Sequence, residues 1–199
     1  MSRSQSSKTH ALAVAAMLSA VAFVLMYIET PVPFVPSFIK LDVSDLPELL
    51  AAFALGPVWG VIVTLLKNLL FIVFHGTSSA YVGELCNFVL GAVFAYTAGA
   101  IYQKNKTRGR AFLGAVVGAL AMAVVCVPFN YFVIYPAYVV VYHMPMEAII
   151  GMYQAILPSM KNLWECLIVF NLPFTFVKGM LDVAICFLIY KPLSPILHR

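Results

Sequence analysis

The stretch Ala111–Tyr135, AFLGAVVGALAMAVVCVPFNYFVIY, contains no Asp, Glu, Lys or Arg. A helix needs about 20 predominantly apolar residues to cross the hydrocarbon core of a bilayer. This segment alone is long enough and apolar enough, so it reads as a transmembrane helix. The chain around it is built the same way. Of 199 residues, 63% are hydrophobic and only 10% are charged. About a quarter of a soluble domain is charged, because its surface must be solvated. Lipid is therefore the solvent here, and the length leaves no room for a separate soluble domain.

Working outward, further apolar segments run over residues 10–28, 58–74, 82–102 and 167–190, the last bent by Pro173. Residues 43–55 form a shorter apolar helix that Ser44 would cap and Gly56-Pro57 would end. At 1.5 Å per residue it reaches only about 20 Å, a partial or tilted span. Pro31, Pro33 and Pro36 make residues 30–40 a loop. Over 139–165, Pro145, Pro158, Glu147, Lys161 and Glu165 interrupt the apolar pattern, which predicts an extended loop with one interfacial helix rich in Met and carrying Trp164. The apolar stretch at 10–28 ends in Met26-Tyr27-Ile28-Glu29 without a cleavage signature, so it is a retained span. The expected fold is one all-α membrane domain, residues 1–199, a compact bundle of six spans.

Six spans place both termini on one side, and the basic residues sort accordingly. Arg3, Lys8, Lys104, Lys106, Arg108, Arg110, Lys191 and Arg199 fall on the terminal side. Opposite them lie Lys40 and Lys161, with Glu29, Asp42, Asp45, Glu48, Glu84, Glu147 and Glu165. The positive-inside rule then puts both termini in the cytoplasm. An odd span count would scatter this partition.

Polar side chains within spans are expensive and turn inward to a partner or ligand. The candidates are Lys67, Asn68, Asn87, Asn130, Asn171, Lys178 and Asp182. Lys67 suits a structural tie to a carboxylate such as Asp45 or Asp182. Lys178 either neutralises Asp182 one turn on or faces a ligand. Asn87 and Asn171 serve as hydrogen-bonding glue between helices or as ligand contacts. Asn130, two residues after Pro128, is poised equally for packing or for a ligand. No metal-ligand spacing, Gly-x-Ser-x-Gly or HExxH appears, which argues against an intramembrane enzyme. The scattered Cys86, Cys126, Cys166 and Cys186 read as small buried hydrophobes. Small residues recur every four positions in the first span, Ala11, Ala15 and Ser19 in one series and Ala16 and Ala20 in another. Such stripes admit a second helix backbone, within the bundle or from a partner.

The string Phe38-Ile39-Lys40-Leu41-Asp42-Val43-Ser44-Asp45-Leu46-Pro47, followed by Ala52-Phe53 and Gly56-Pro57, resembles the riboflavin-specific S components of energy-coupling-factor (ECF) vitamin transporters. Lys67-Asn68-Leu69-Leu70 is similar to the family's third-helix signature. Asn130-Tyr131-Phe132 with Pro136 and Tyr138 is similar to its fifth-helix exit, and Asn171-Leu172-Pro173-Phe174 running to Lys178-Gly179 to its sixth-helix motif. The resemblance implies a substrate-binding subunit in a prokaryotic plasma membrane. It implies partnership with a membrane T component and two cytoplasmic ATPases, because this chain has no GxxxxGKS/T loop. It implies no cofactor, riboflavin being the transported ligand, and no nucleic-acid partner.

It further implies an outward-facing pocket closed by the first loop through Lys40, Leu41 and Asp42. Asn130, Tyr131, Asn171, Thr175 and Lys178 would line it, and Asp42, Glu84 or Asn87 would meet the ribityl hydroxyls. Thr175 stands where the family often has asparagine. An asparagine amide matches the alternating acceptors and N–H of the flavin pyrimidine edge, and Lys178 suits a carbonyl or ring nitrogen. Ala11, Ala15, Ser19, Ala16 and Ala20 would dock on the T component. An S component for thiamine, biotin or a folate, and a stand-alone carrier, are the competing expectations.

Overall fold

The computed structural model describes residues 3–36, 39–77 and 79–197. Phe38 of the loop string and Arg199 of the basic set lie outside the described residues. Helix α1 (Arg3–Tyr27) leads into a small antiparallel ribbon, β1 (Thr30–Pro31) and β2 (Lys40–Leu41), with Thr30 opposite Leu41. Then follow α2 (Leu46–Ala54), α3 (Pro57–His75), α4 (Val82–Lys104) and α5 (Arg108–Phe129). Beyond α5 a π-turn (Asn130–Ile134) runs straight into α6 (Tyr135–Tyr142). After α7 (Met146–Gln154), a short α8 (Leu163–Cys166) passes through a second π-turn (Leu167–Asn171) into α9 (Leu172–Leu197).

Among the described residues, five segments are long and apolar enough to cross a membrane: Lys8–Tyr27, Pro57–His75, Val82–Lys104, Arg108–Tyr142 and Leu163–Tyr190. The element expected as a partial or tilted span over 43–55 is shorter than these. At 9 residues α2 is about 14 Å long, too short to cross by itself. It is nonetheless an interior element, with eight of its nine residues buried. Irregular backbone at membrane depth survives only where protein or a cavity satisfies its polar groups. The segment before α2 meets that condition: Asp42, Ser44 and Asp45 are buried, and the Ser44 N–H donates to Asp42 Oδ1 at 2.8 Å. Ser44 does not cap the helix. Asp45 occupies the cap position, and the Ser44 hydroxyl accepts from Lys67 Nζ at 2.8 Å. The far end of α2 turns at Gly56, whose φ of 118° suits glycine; a Cβ there would lie 2.5 Å from Gln103 at the end of α4.

The expected fifth and last spans are also longer than predicted, because the prolines widen these helices without ending them. Pro136 and Pro173 lack an N–H and clash with the carbonyl four residues back. Each π-turn begins six residues before its proline, at Asn130 and at Leu167. The amides of Tyr135 and Leu172 reach back to Asn130 O and Leu167 O, five residues away. The loop expected over 139–165 does hold one short helix, α7, which buries Ile149 and Tyr153. Trp164 belongs instead to the start of the last long helix.

Packing divides into two cores. One joins α1, α2, α4, α5 and α9 through Ala15, Leu18, Ala22, Leu49, Phe94, Ala98, Ala115, Ala119, Met122 and Val183. The other gathers Val35, Val127, Tyr135, Ile149, Tyr153, Leu163, Leu167 and Phe170 around α7. Cys126, Cys166 and Cys186 are buried, as small hydrophobes would be.

Candidate ligand-binding pocket and the charge cluster beneath it

A cavity opens where the two cores meet. Its wall takes Ile39, Lys40, Asp42 and Asp45 from the first loop, and Gly83, Cys86, Asn87, Leu90 and Gly91 from α4. Met122 and Cys126 come from α5, Asn130 and Ile134 from its π-turn, and Tyr135 and Tyr138 from α6. Asn171, Phe174, Thr175 and Lys178 come from the last helix. Four separate sequence segments thus converge on one site, three of them through irregular backbone.

Of the expected contacts, Lys40, Asp42, Asn87, Asn130, Asn171, Thr175 and Lys178 line this cavity. The other three sit elsewhere. Leu41 is half-buried in the ribbon beside it. Glu84 is buried and accepts hydrogen bonds from Ser79 Oγ at 2.6 Å and Thr77 Oγ1 at 3.2 Å, tying the turn before α4. Tyr131 is 37% exposed and packs edge-on against Trp164, turned away from the cavity.

Lys178 is not paired with Asp182. Its ammonium lies 3.1 Å from Asp42 Oδ2 and 3.0 Å from Asp45 Oδ2, so the last helix is strapped to the first loop. Lys67 is fully buried, 2.7 Å from Asp45 Oδ1 and 2.5 Å from Glu48 Oε1. This is the structural tie expected for Lys67, with Asp45 shared between the two lysines. Glu48 went unforeseen as a partner; in the first turn of α2 it reads as an ordinary helix-start acid. Asp182 is fully buried nearby. A buried pair gains little over an apolar one, but losing one partner leaves an unmatched charge costing about 3–5 kcal/mol. The cluster therefore ties loop, α2, α3 and α9 to one another.

The amides on the wall have distinct environments. Asn130 Nδ2 donates to Cys126 O at 2.7 Å and lies 3.1 Å from Cys126 Sγ, which fills the loosened turn of its own helix. The Thr175 hydroxyl donates to the same sulfur at 3.3 Å. Asn87 Oδ1 is buried on the cavity wall without a hydrogen-bond partner among the described residues. Asn171 is held by Tyr153 and Tyr135. Cys86, Cys126, Tyr135 and Tyr138 were missed as wall residues, although Tyr138 stood in a quoted motif. Tyr135 and Tyr138 reach the cavity beyond a widened turn and Cys86 and Cys126 through the rotation of α4 and α5, and spacing along the chain does not encode those rotations.

On α1 the two small-residue series part. Ala15 and Ser19 are buried in the bundle, with Ser19 Oγ donating to Ala15 O at 2.7 Å, and Ala11 is half-buried. Ala16 and Ala20 are exposed.

A family model described as "ECF transporter, substrate-specific component" matches residues 10–190. The chain is 36% identical over 183 residues to the riboflavin transporter RibU of Staphylococcus aureus, covering 92% of this chain and 89% of that one. It is 31% identical to the riboflavin transporter FmnP of Bacillus subtilis, covering 94% of each. A solved structure of the S component of a bacterial ECF transporter superposes with a TM-score of 0.74 at 35% identity, covering 96% of this chain and 99% of that one. On the family match over residues 10–190 and the likeness to these relatives, this chain belongs to the substrate-specific components of ECF transporters.

Proposed function

We propose that this chain captures riboflavin in the cavity between its two cores and presents it for uptake powered by other subunits. The observation that carries the proposal is the 36% identity to a riboflavin transporter across nearly the whole chain, together with a cavity built from the same segments that carry the resemblance. The chemistry of the wall supports a neutral, polar, aromatic ligand. Both lysines on the wall are matched by carboxylates, Lys178 by Asp42 and Asp45, and Lys40 by Glu29. A free carboxylate such as that of biotin or a folate meets no unmatched cation among the described wall residues. A thiamine cation would compete with lysines already in place. Asn87, Asn130 and Asn171 offer amide donors and acceptors for a flavin pyrimidine edge. Leu90, Ile134, Tyr138 and Phe174 offer apolar surface for its dimethylbenzene end.

The cavity faces outward in this reading, and the chain termini face the cytoplasm. The basic residues at the ends of α4 and the start of α5 support that orientation. The partners are a membrane T component and two cytoplasmic ATPases, and the exposed Ala16–Ala20 edge of α1 is the docking stripe. Ligand-stripped protein in detergent tests the reading: riboflavin fluorescence quenches on titration, while thiamine, biotin and folate do not compete. Absence of quenching, or displacement of riboflavin by one of the others, would overturn it.

A further inference from the structure

Helix α7 lies outside the spans, and none of its residues lines the cavity. It nevertheless sends one fully buried side chain, Tyr153, to the back of the pocket wall. The Tyr153 hydroxyl donates to Asn171 Oδ1 at 2.7 Å. Asn171 Nδ2 donates to the Tyr135 hydroxyl at 3.4 Å, and the Tyr135 and Tyr153 hydroxyls are hydrogen-bonded to each other. With the Tyr153 proton committed to Asn171, Tyr135 donates to Tyr153, and the three bonds close a ring. The ring uses the amide oxygen and one amide N–H of Asn171. The amide is thereby fixed from behind, and its remaining N–H is the donor left for the cavity.

The placement of the ring is as telling as its bonds. Asn171 closes one π-turn and Tyr135 follows the other. These are the two points where helix backbone is least constrained by its own ladder. Tyr153 joins them to each other and to α7, while its ring packs on Phe170 at 5.3 Å between centroids. Burial raises the phenol of Tyr153 above its ordinary value, so it keeps the proton it donates.

We propose that Tyr153 is a positioning residue for ligand recognition, setting the Asn171 amide and the Tyr135 hydroxyl on the pocket wall and tying α7 to occupancy of the site. The proposal rests on the flavin-binding reading above for its ligand.

Full-length, ligand-stripped protein in detergent is titrated with riboflavin by fluorescence quenching, for wild type, Tyr153→Phe, Asn171→Ala and the double variant. Tyr153→Phe keeps the ring and its packing and removes one hydroxyl. The expected loss of affinity is roughly three- to tenfold for Tyr153→Phe, the scale of one net hydrogen bond. Asn171→Ala loses at least as much, and the double variant is no weaker than Asn171→Ala alone, because the hydroxyl acts through the amide. Additive losses, or a Tyr153→Phe protein that melts earlier yet binds riboflavin unchanged, would overturn the proposal. If wild type fails to quench riboflavin, the functional reading falls on its own. Amide hydrogen exchange of the ligand-free proteins then decides: Tyr153→Phe speeds exchange over 130–135 and 167–171 if the ring positions the wall, and unchanged exchange there refutes it.

Discussion

The two cores on either side of the cavity are built by opposite means. Below it, Ala15, Ala22, Ala51, Ala98, Ala115 and Ala119 let straight helices approach backbone to backbone. A Cβ on Gly118 would stand 2.8 Å from Phe94 O, so α4 and α5 are in contact at their main chains. Above it, Tyr135, Tyr153, Phe170, Ile149 and Leu163 fill space between widened helices and a short surface helix. Where lipid offers no hydrophobic drive between helices, association depends on close fit and hydrogen bonds. The lower core uses the first and the upper core adds the second. A rigid base and a hydrogen-bonded, adjustable rim are thus written in different residue types, and the ligand site lies on their seam.

Removing the charge cluster at the seam is expected to do most damage. Lys67→Met leaves Glu48 without its cation and Asp45 with Lys178 alone, a loss of about 3–5 kcal/mol, seen as a lower melting temperature in detergent. A melting temperature unchanged from wild type would show that the cluster does not hold loop, α2 and α3 together. The next test makes one chemical change in each core. Gly118→Ala must force α4 from α5 and should cost about 1–3 kcal/mol. Gly151→Ala, with nothing within 4 Å of the new Cβ, should stabilise α7 by about 0.5–1 kcal/mol. Equal effects in thermal unfolding would erase the contrast between tight base and open rim. The smallest effect on the subunit itself is expected at Ala16→Leu, on an exposed face of α1. It should leave melting and flavin quenching within about 0.5 kcal/mol of wild type, yet abolish co-purification with the T component. Ala15→Leu should instead destabilise the isolated subunit, because Ala15 is buried.

How much of this was legible beforehand follows the same division. Long apolar runs, the short α2 ended by Gly56-Pro57, and a tie from Lys67 to a buried carboxylate, though not the choice of Asp45 over Asp182, all follow from hydropathy, turn chemistry and the cost of a charge in lipid. Spacing alone could not choose between the Ala11–Ala15–Ser19 and Ala16–Ala20 series, since both are small and both recur every four residues; which faces the bundle depends on helix rotation. Lys178 looked equally suited to Asp182 or a ligand, and the structure gives it to Asp42 and Asp45 across 133 residues or more of sequence. Tyr153 carried only a weak signal, one tyrosine four positions after Ile149 on a short amphipathic helix. Pro136 and Pro173 announced a disturbance in their helices without stating its form.

That form has a consequence for length variation. A π-turn holds one residue more than the α-helical turn it replaces, and each residue of an α-helix turns the chain by about 100°. Deleting one residue between Asn130 and Ile134, or between Leu167 and Asn171, would return a regular helix and swing everything beyond it by about that angle. Tyr135 and Tyr138 would leave the cavity in the first case. In the second, the outer segment from Leu163 would turn away from α7. The insertion of two single residues, one per helix, thus sets the shape of the pocket mouth, and a relative lacking either would have to recognise its cargo with a different set of side chains.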